Sequence, residues 1–133
     1  MESLSLLVLI LLISTAIGFY YRSKNGVIRK KRRLHISEAE FAGRYGERIT
    51  ILQFSTTFCS QCRAAKTLIS DVVKDEKDIS YLEIDAESNL ALVRKVDVRS
   101  TPTTIFLDRG GFEIARATGA PKRDQLQKVI ASL

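Results

Sequence analysis

The sequence predicts an α/β domain, a mixed sheet with helices on both faces, preceded by one apolar helix at the amino terminus. Three observations predict it. Strand-like and helix-like stretches alternate from residue 37 to the end. Two late apolar strands are separated by the turn signal Asp108-Arg109-Gly110-Gly111. Leu4 to Tyr21 form an uncharged run of 18 residues rich in Leu, Ile and Val. A strand–helix–strand order implies parallel pairing through a right-handed crossover, and the hairpin adds antiparallel strands at one side.

At 133 residues the chain suits one domain of modest core and an appendage. Its net charge of +6 suggests nucleic acid or a membrane surface until the charges are mapped. Residues 34–133 hold fourteen Lys+Arg and fourteen Asp+Glu, whereas residues 1–33 hold seven basic residues against Glu2 alone. The whole excess therefore sits beside the apolar run. Nucleic-acid binding gains no support, because it calls for a basic stripe on the domain itself.

As a helix, Leu4 to Tyr21 spans about 27 Å, close to a bilayer core of roughly 30 Å. Phe19, Tyr20 and Tyr21 end it as an aromatic belt would. A secretory signal peptide and a buried core helix are the competing readings. The first lacks a basic n-region, although Ala16-Ile17-Gly18 is a weak cleavage signal, and the second conflicts with a run that is apolar all round. A single membrane anchor over 1–21 is the reading adopted, with 22–33 as a basic juxtamembrane linker and 34–133 as the globular domain. Arg22, Lys24, Arg29, Lys30, Lys31, Arg32 and Arg33 all follow the run and no Lys or Arg precedes it. The positive-inside rule then places the domain in the cytoplasm. The cluster either rests on anionic headgroups or only sets topology. Asn25-Gly26 marks a turn.

Within the domain, Ser37-Glu38-Ala39-Glu40 matches a capping box and predicts a helix through about Tyr45. Arg48 to Phe54 is largely apolar and predicts a strand in the middle of the sheet. Ala64 to Val73 is helical, and Ile79 to Asp85 partly alternates as a second strand. Leu90, Leu92, Val93 and Val96 give a short amphipathic helix over 89–96. Thr103 to Leu107 and Phe112 to Ala117 are the hairpin strands. Pro121 opens a last helix with Leu126, Val129, Ile130 and Leu133 on one face.

Between the first strand and its helix stands Phe58-Cys59-Ser60-Gln61-Cys62-Arg63, which holds the only two cysteines. The first lies at a helix N-terminus, where free backbone N–H groups and the macrodipole favour a thiolate. The second lies one turn on, within reach of a disulfide. Such a pair attacks a disulfide, forms a mixed disulfide and resolves it internally. Zinc needs four ligands, or three with a water, and beyond the two thiols only His35, far upstream, is available as an imidazole. No metal and no bound cofactor is expected, and His35 is given no catalytic role.

This pattern resembles the thioredoxin family over nearly all of residues 35–133. The resemblance rests on Gln53-Phe54 leading into the Cys-x-x-Cys, on Leu82-Glu83-Ile84-Asp85, on Val96 to Thr103 ending in Thr101-Pro102-Thr103, and on Gly119 before the last helix. It implies a thioredoxin-like three-layer fold. It further implies Cys59 as nucleophile, Cys62 as resolving thiol and Pro102 as a cis proline facing them. The Thr101 backbone would pair an extended substrate strand, with Phe58 and Arg63 shaping the rim. Disulfide-containing protein clients and a redox partner such as a thioredoxin reductase follow from the same resemblance.

Departures from the family bear on mechanism. No Trp is present, so Phe58 precedes the first cysteine and Ser55 holds the second usual Trp position. Ser60-Gln61 replaces the common Gly-Pro, and Thr67 stands where a kinking proline is frequent. Gln53 stands where the family buries an Asp beneath the second cysteine, and Tyr81 stands where its Lys neighbour lies. Both members of a charged pair become neutral, so deprotonation of Cys62 is expected to use water or the Cys59 thiolate. The expected function is a membrane-tethered thiol–disulfide oxidoreductase. The alternatives are an extracytoplasmic oxidase, isomerase or cytochrome-maturation reductase, and a non-enzymatic binding module.

Overall fold

A computed structural model describes residues 1–24, 26–29 and 34–133. The order is α1 (Glu2–Lys24), β1 (Ile28–Arg29), α2 (Glu38–Phe41), β2 (Ile49–Ser55), α3 (Ser60–Val73), β3 (Ile79–Asp85), α4 (Leu90–Lys95), β4 (Thr103–Leu107), β5 (Glu113–Thr118) and α5 (Arg123–Ser132). The strands form one mixed sheet in the order β1-β5-β4-β2-β3. Among the described residues only β2 and β3 pair in parallel, as the intervening α3 crossover requires. The β4–β5 hairpin lies antiparallel beside β2.

Every residue of β2 is buried, as its apolar composition and central place demand. Side chains alternate across it. Ile49 and Ile51 join Ile69, Phe106, Leu126 and Ile130 under α3 and α5. Leu52 and Phe54 join Phe41, Ile84, Leu92 and Ile105 under α2 and α4. These two apolar layers make the three-layer fold that the sequence predicts.

Two expectations are corrected. The capping-box helix is a single turn rather than a helix to Tyr45. Glu40 does accept the Ser37 backbone N–H at 2.8 Å, but Ala42 turns left-handed with φ 52°. Tyr45 is then drawn off to donate its hydroxyl to the Ile36 carbonyl at 2.7 Å. The stretch 22–33, read as linker, contributes β1, whose Ile28 and Arg29 pair with Ala117 and Arg116. A two-residue strand carries too little periodicity to be seen. The Asn25 half of the turn and the basic run Lys30 to Arg33 lie outside the described residues; Gly26 has the positive φ of a turn, 78°.

The apolar run is one helix of 23 residues with no buried side chain among them, long enough and apolar enough to cross a membrane. A signal sequence near an amino terminus meets the same criteria. Tyr20 and Tyr21 pack edge to face at 6.1 Å, and the Lys24 ammonium lies 4.3 Å from the Tyr20 ring centre.

Candidate active site

β2 ends at Ser55, and after three intervening residues Cys59 forms the N-cap of α3. Cys59 and Cys62 are joined by a disulfide, with their Cα atoms 5.2 Å apart. The Cys62 backbone N–H donates to Cys59 Sγ at 3.1 Å. This is one of the helix's unpaired N–H groups, satisfied by sulfur where other helices use oxygen. In the reduced state the same N–H and the positive helix end favour a thiolate on Cys59. Burial separates the two sulfurs further: Cys62 is 3% exposed, whereas Cys59 is only partly covered. Phe58, immediately before them, is 97% exposed.

Beneath the dithiol lies Gln53, fully buried in β2. Its Nε2 donates to the Cys62 carbonyl at 2.8 Å, and its Oε1 accepts the Tyr81 hydroxyl at 2.6 Å. The amide is thus held by both ends. Burial first, and the Glu83 carboxylate second, push the Tyr81 phenol well above its ordinary range. It therefore remains protonated and remains a donor. Where the resemblance would place an Asp–Lys pair, this chain has two neutral groups bonded to each other. Thr104, opposite Gln53 in the β2–β4 register, is buried, and its hydroxyl has no hydrogen-bond partner among the described residues.

The Thr101–Pro102 peptide is cis. The loop reaches the dithiol turn through Thr101, whose hydroxyl lies 3.4 Å from that of Thr56. A shallow cleft of about 280 Å³ opens beside the sulfurs, lined by Cys59, Cys62, Arg63, Lys66, Glu83 and Asp85 among others. Sequence reasoning missed Lys66, Glu83 and Asp85. A signal was present, since Lys66 follows Arg63 by one helical turn and Asp85 ends a strand parallel to β2. Lys66 and Glu83 face each other across the cleft at 3.4 Å. The Ser88 hydroxyl and then the Glu87 N–H hold the Asp85 carboxylate below its usual range, so this wall stays anionic.

His35 is remote from the dithiol. It forms an isolated bridge with Phe112, the two rings 5.0 Å apart.

An accessible sulfur capping a helix, a buried partner one turn on and an exposed approach together make a thiol–disulfide exchange site. The family model described as Thioredoxin matches residues 33–132, and the chain belongs to the thioredoxin family. Thioredoxin H2-1 of Oryza sativa is 29% identical over 86 residues, 65% of this chain and 61% of its own length. Thioredoxin-2 of Saccharomyces cerevisiae is 29% identical over 84 residues, 63% of this chain and 80% of its own. Among solved structures, a thioredoxin-2 described as a component of malaria parasite protein secretion machinery superposes with a TM-score of 0.60. It is 28% identical, and the match covers 65% of this chain and 84% of that one. The matched segment spans less than two thirds of the rice relative.

Proposed function

We propose that this chain is a membrane-tethered thiol–disulfide oxidoreductase that reduces or exchanges disulfides of protein clients, with its domain on the cytoplasmic side. The observation that carries the reading is the asymmetry of the dithiol. Cys59 is accessible and faces a backbone donor, while Cys62 is buried one turn behind it.

The Cys59 thiolate attacks one sulfur of a client disulfide, and the other sulfur leaves as a thiolate that takes up a proton. Cys62 loses its proton to water, or to the Cys59 thiolate before that sulfur is committed to the mixed disulfide, and then attacks Cys59 Sγ. This forms the Cys59–Cys62 disulfide and releases the second client sulfur. Two electrons pass from the dithiol to the client, whose two sulfurs take up two protons from solvent, one of them balancing the proton that Cys62 gives up. A dithiol reductant, such as a thioredoxin reductase, restores the pair. The Thr101 backbone ahead of Pro102 offers an edge for an extended client segment, with Phe58 and Arg63 at the rim. Gln53 and Tyr81 fix the Cys62 carbonyl, and with it the first turn of α3. Neither is a proton acceptor at neutral pH, so no buried carboxylate assists the second attack.

The full chain in detergent, supplied with a dithiol reductant, is expected to reduce insulin disulfides, and Cys59→Ser to abolish this. Cys59→Ser with full turnover would overturn the proposal. Protease digestion of sealed right-side-out vesicles tests the topology. Protection of the domain is expected, and digestion would place it outside.

A further inference from the structure

We propose that the dithiol faces the bilayer, and that its client is a disulfide in the juxtamembrane segment of a membrane-embedded protein. This rests on α1 being a retained membrane anchor.

The chain joins the sheet almost as soon as α1 ends. Lys24 closes α1, and two residues later the Gly26 N–H donates to the Thr118 carbonyl at 2.7 Å. Gly26 is in the left-handed region, and a Cβ there would strike the Ala120 carbonyl oxygen. The contact is therefore close and admits no side chain. Ile28 pairs with Ala117, and its N–H donates to Gln125 Oε1 at 3.2 Å. Two residues of backbone reach at most about 7 Å. The helical residues from Arg22 to Lys24 add about 4.5 Å. The end of the apolar run thus lies within roughly 12 Å of the sheet, little more than one leaflet's headgroup layer of about 5–8 Å. The domain has no free tether with which to turn away.

The register identifies the end of the sheet that meets the membrane. Ile28 lies opposite Ala117, Thr118 opposite Thr103, and Thr103 opposite Phe54. The start of β1, the end of β5, the start of β4 and the end of β2 therefore share one rim, and the dithiol turn leaves from it. Hydrogen bonds link the loops along this rim. The Gly119 N–H donates to the Pro102 carbonyl at 2.8 Å, and the Thr101 and Thr56 hydroxyls are 3.4 Å apart. Three strand spacings separate Gly26 from the end of β2, about 14 Å. Phe58 and Lys122 are exposed in these loops, as is Arg99 in its ion pair with Asp97, and Arg63 is exposed on the first turn of α3. An aromatic ring with scattered cations suits a headgroup surface. A folded soluble client would have to enter between domain and lipid, whereas a segment emerging from the bilayer arrives at this height already extended.

The exchange is that given above: two electrons leave the Cys59/Cys62 pair, Cys62 gives up one proton, solvent supplies the other, and one client disulfide becomes two thiols. A dithiol reductant closes the cycle. The test uses the pre-reduced full chain in phosphatidylcholine vesicles containing phosphatidylserine, with flotation measured first. Two single-span peptides serve as probes, one with its disulfide next to the bilayer and one with it beyond a Gly/Ser spacer of about thirty residues. The near disulfide is expected to be reduced at least about tenfold faster. Inserting about twenty Gly/Ser residues after Lys24 is expected to bring the ratio below about threefold, with insulin reduction in detergent, where no bilayer screens the dithiol, unchanged. Equal rates for the two peptides in a chain that floats would overturn the orientation alone. A preference that survives the insertion would do the same. A chain that does not float would overturn the anchor, and this proposal with it.

Discussion

Among the described residues, two polar pairs of this sheet reach into its interior, one through the buried Gln53 with the half-buried Tyr81 and one through Glu113 with Arg116, and they are built in opposite ways. Under the dithiol, Gln53 and Tyr81 are neutral and share one hydrogen bond. Away from it, Glu113 and Arg116 of β5 form an ion pair, with Nε–Oε1 at 2.6 Å and Nη2–Oε2 at 2.8 Å. The Glu113 side chain is 1% exposed and that of Arg116 is 10% exposed. The fold therefore tolerates a buried ion pair, so the neutrality beneath Cys62 does not follow from any general intolerance of charge. An ionised group beside a sulfur biases its thiolate and titrates with it, whereas a tyrosine–amide bond holds geometry and leaves the field unchanged.

The largest test of the contrast acts on the ion pair. Arg116→Ala leaves the Glu113 carboxylate buried and alone, and is expected to cost about 3–5 kcal/mol in denaturant unfolding. Replacing both with apolar residues of similar volume is expected to recover most of the loss. Insulin reduction by surviving folded protein should be unaffected, because the pair is remote from the sulfurs. Gln53→Asp places a titrating carboxylate beneath Cys62. Resolution of the mixed disulfide is then expected to rise at least about tenfold with pH across the Asp ionisation, where wild type shows no such extra step. An identical pH profile would mean that the neutral amide has no bearing on the second attack. Tyr81→Phe removes one donor and leaves Gln53 Oε1 unpaired, at about 1–2 kcal/mol with the profile unchanged.

The smallest effect belongs to the surface. Lys95 first, at 2.5 Å, and then the Ser37 N–H lower the Glu40 carboxyl from 4.5 to about 2. A depressed folded value stabilises above the unfolded one, so this contribution is present above pH 4.5 and fades as pH falls toward 2. Both groups are partly solvated, so Lys95→Met should cost no more than about 1 kcal/mol at pH 7. It should also flatten the acid limb of an unfolding-against-pH curve.

Legibility in the sequence followed the range of the interactions. β2, β3 and β4 were legible because strand periodicity is local, and the dithiol because two cysteines at that spacing between strand and helix leave few other uses. Gln53 and Tyr81 were legible only as departures from a resemblance. Their bond joins residues 28 positions apart, and no local pattern encodes it. β1 was missed because its two residues owe their place to β5, and the helix after Ser37 was overlong because Tyr45 is claimed by Ile36. The Glu113–Arg116 pair was missed for a related reason: charges in a strand read as solvent-facing, and their burial here is set by the tertiary fold. Lys66, Glu83 and Asp85 meet at the cleft from α3 and β3, which only the crossover brings together.

The central claim is the asymmetry between the two sulfurs, and alkylation of the reduced full chain tests it most directly. Each cysteine's labelling rate would be followed by mass spectrometry across pH. The account expects Cys59 to react at least about tenfold faster than Cys62 at neutral pH, as a partly exposed sulfur at a helix N-terminus should. Cys62 reacting first, or both reacting alike, would contradict it.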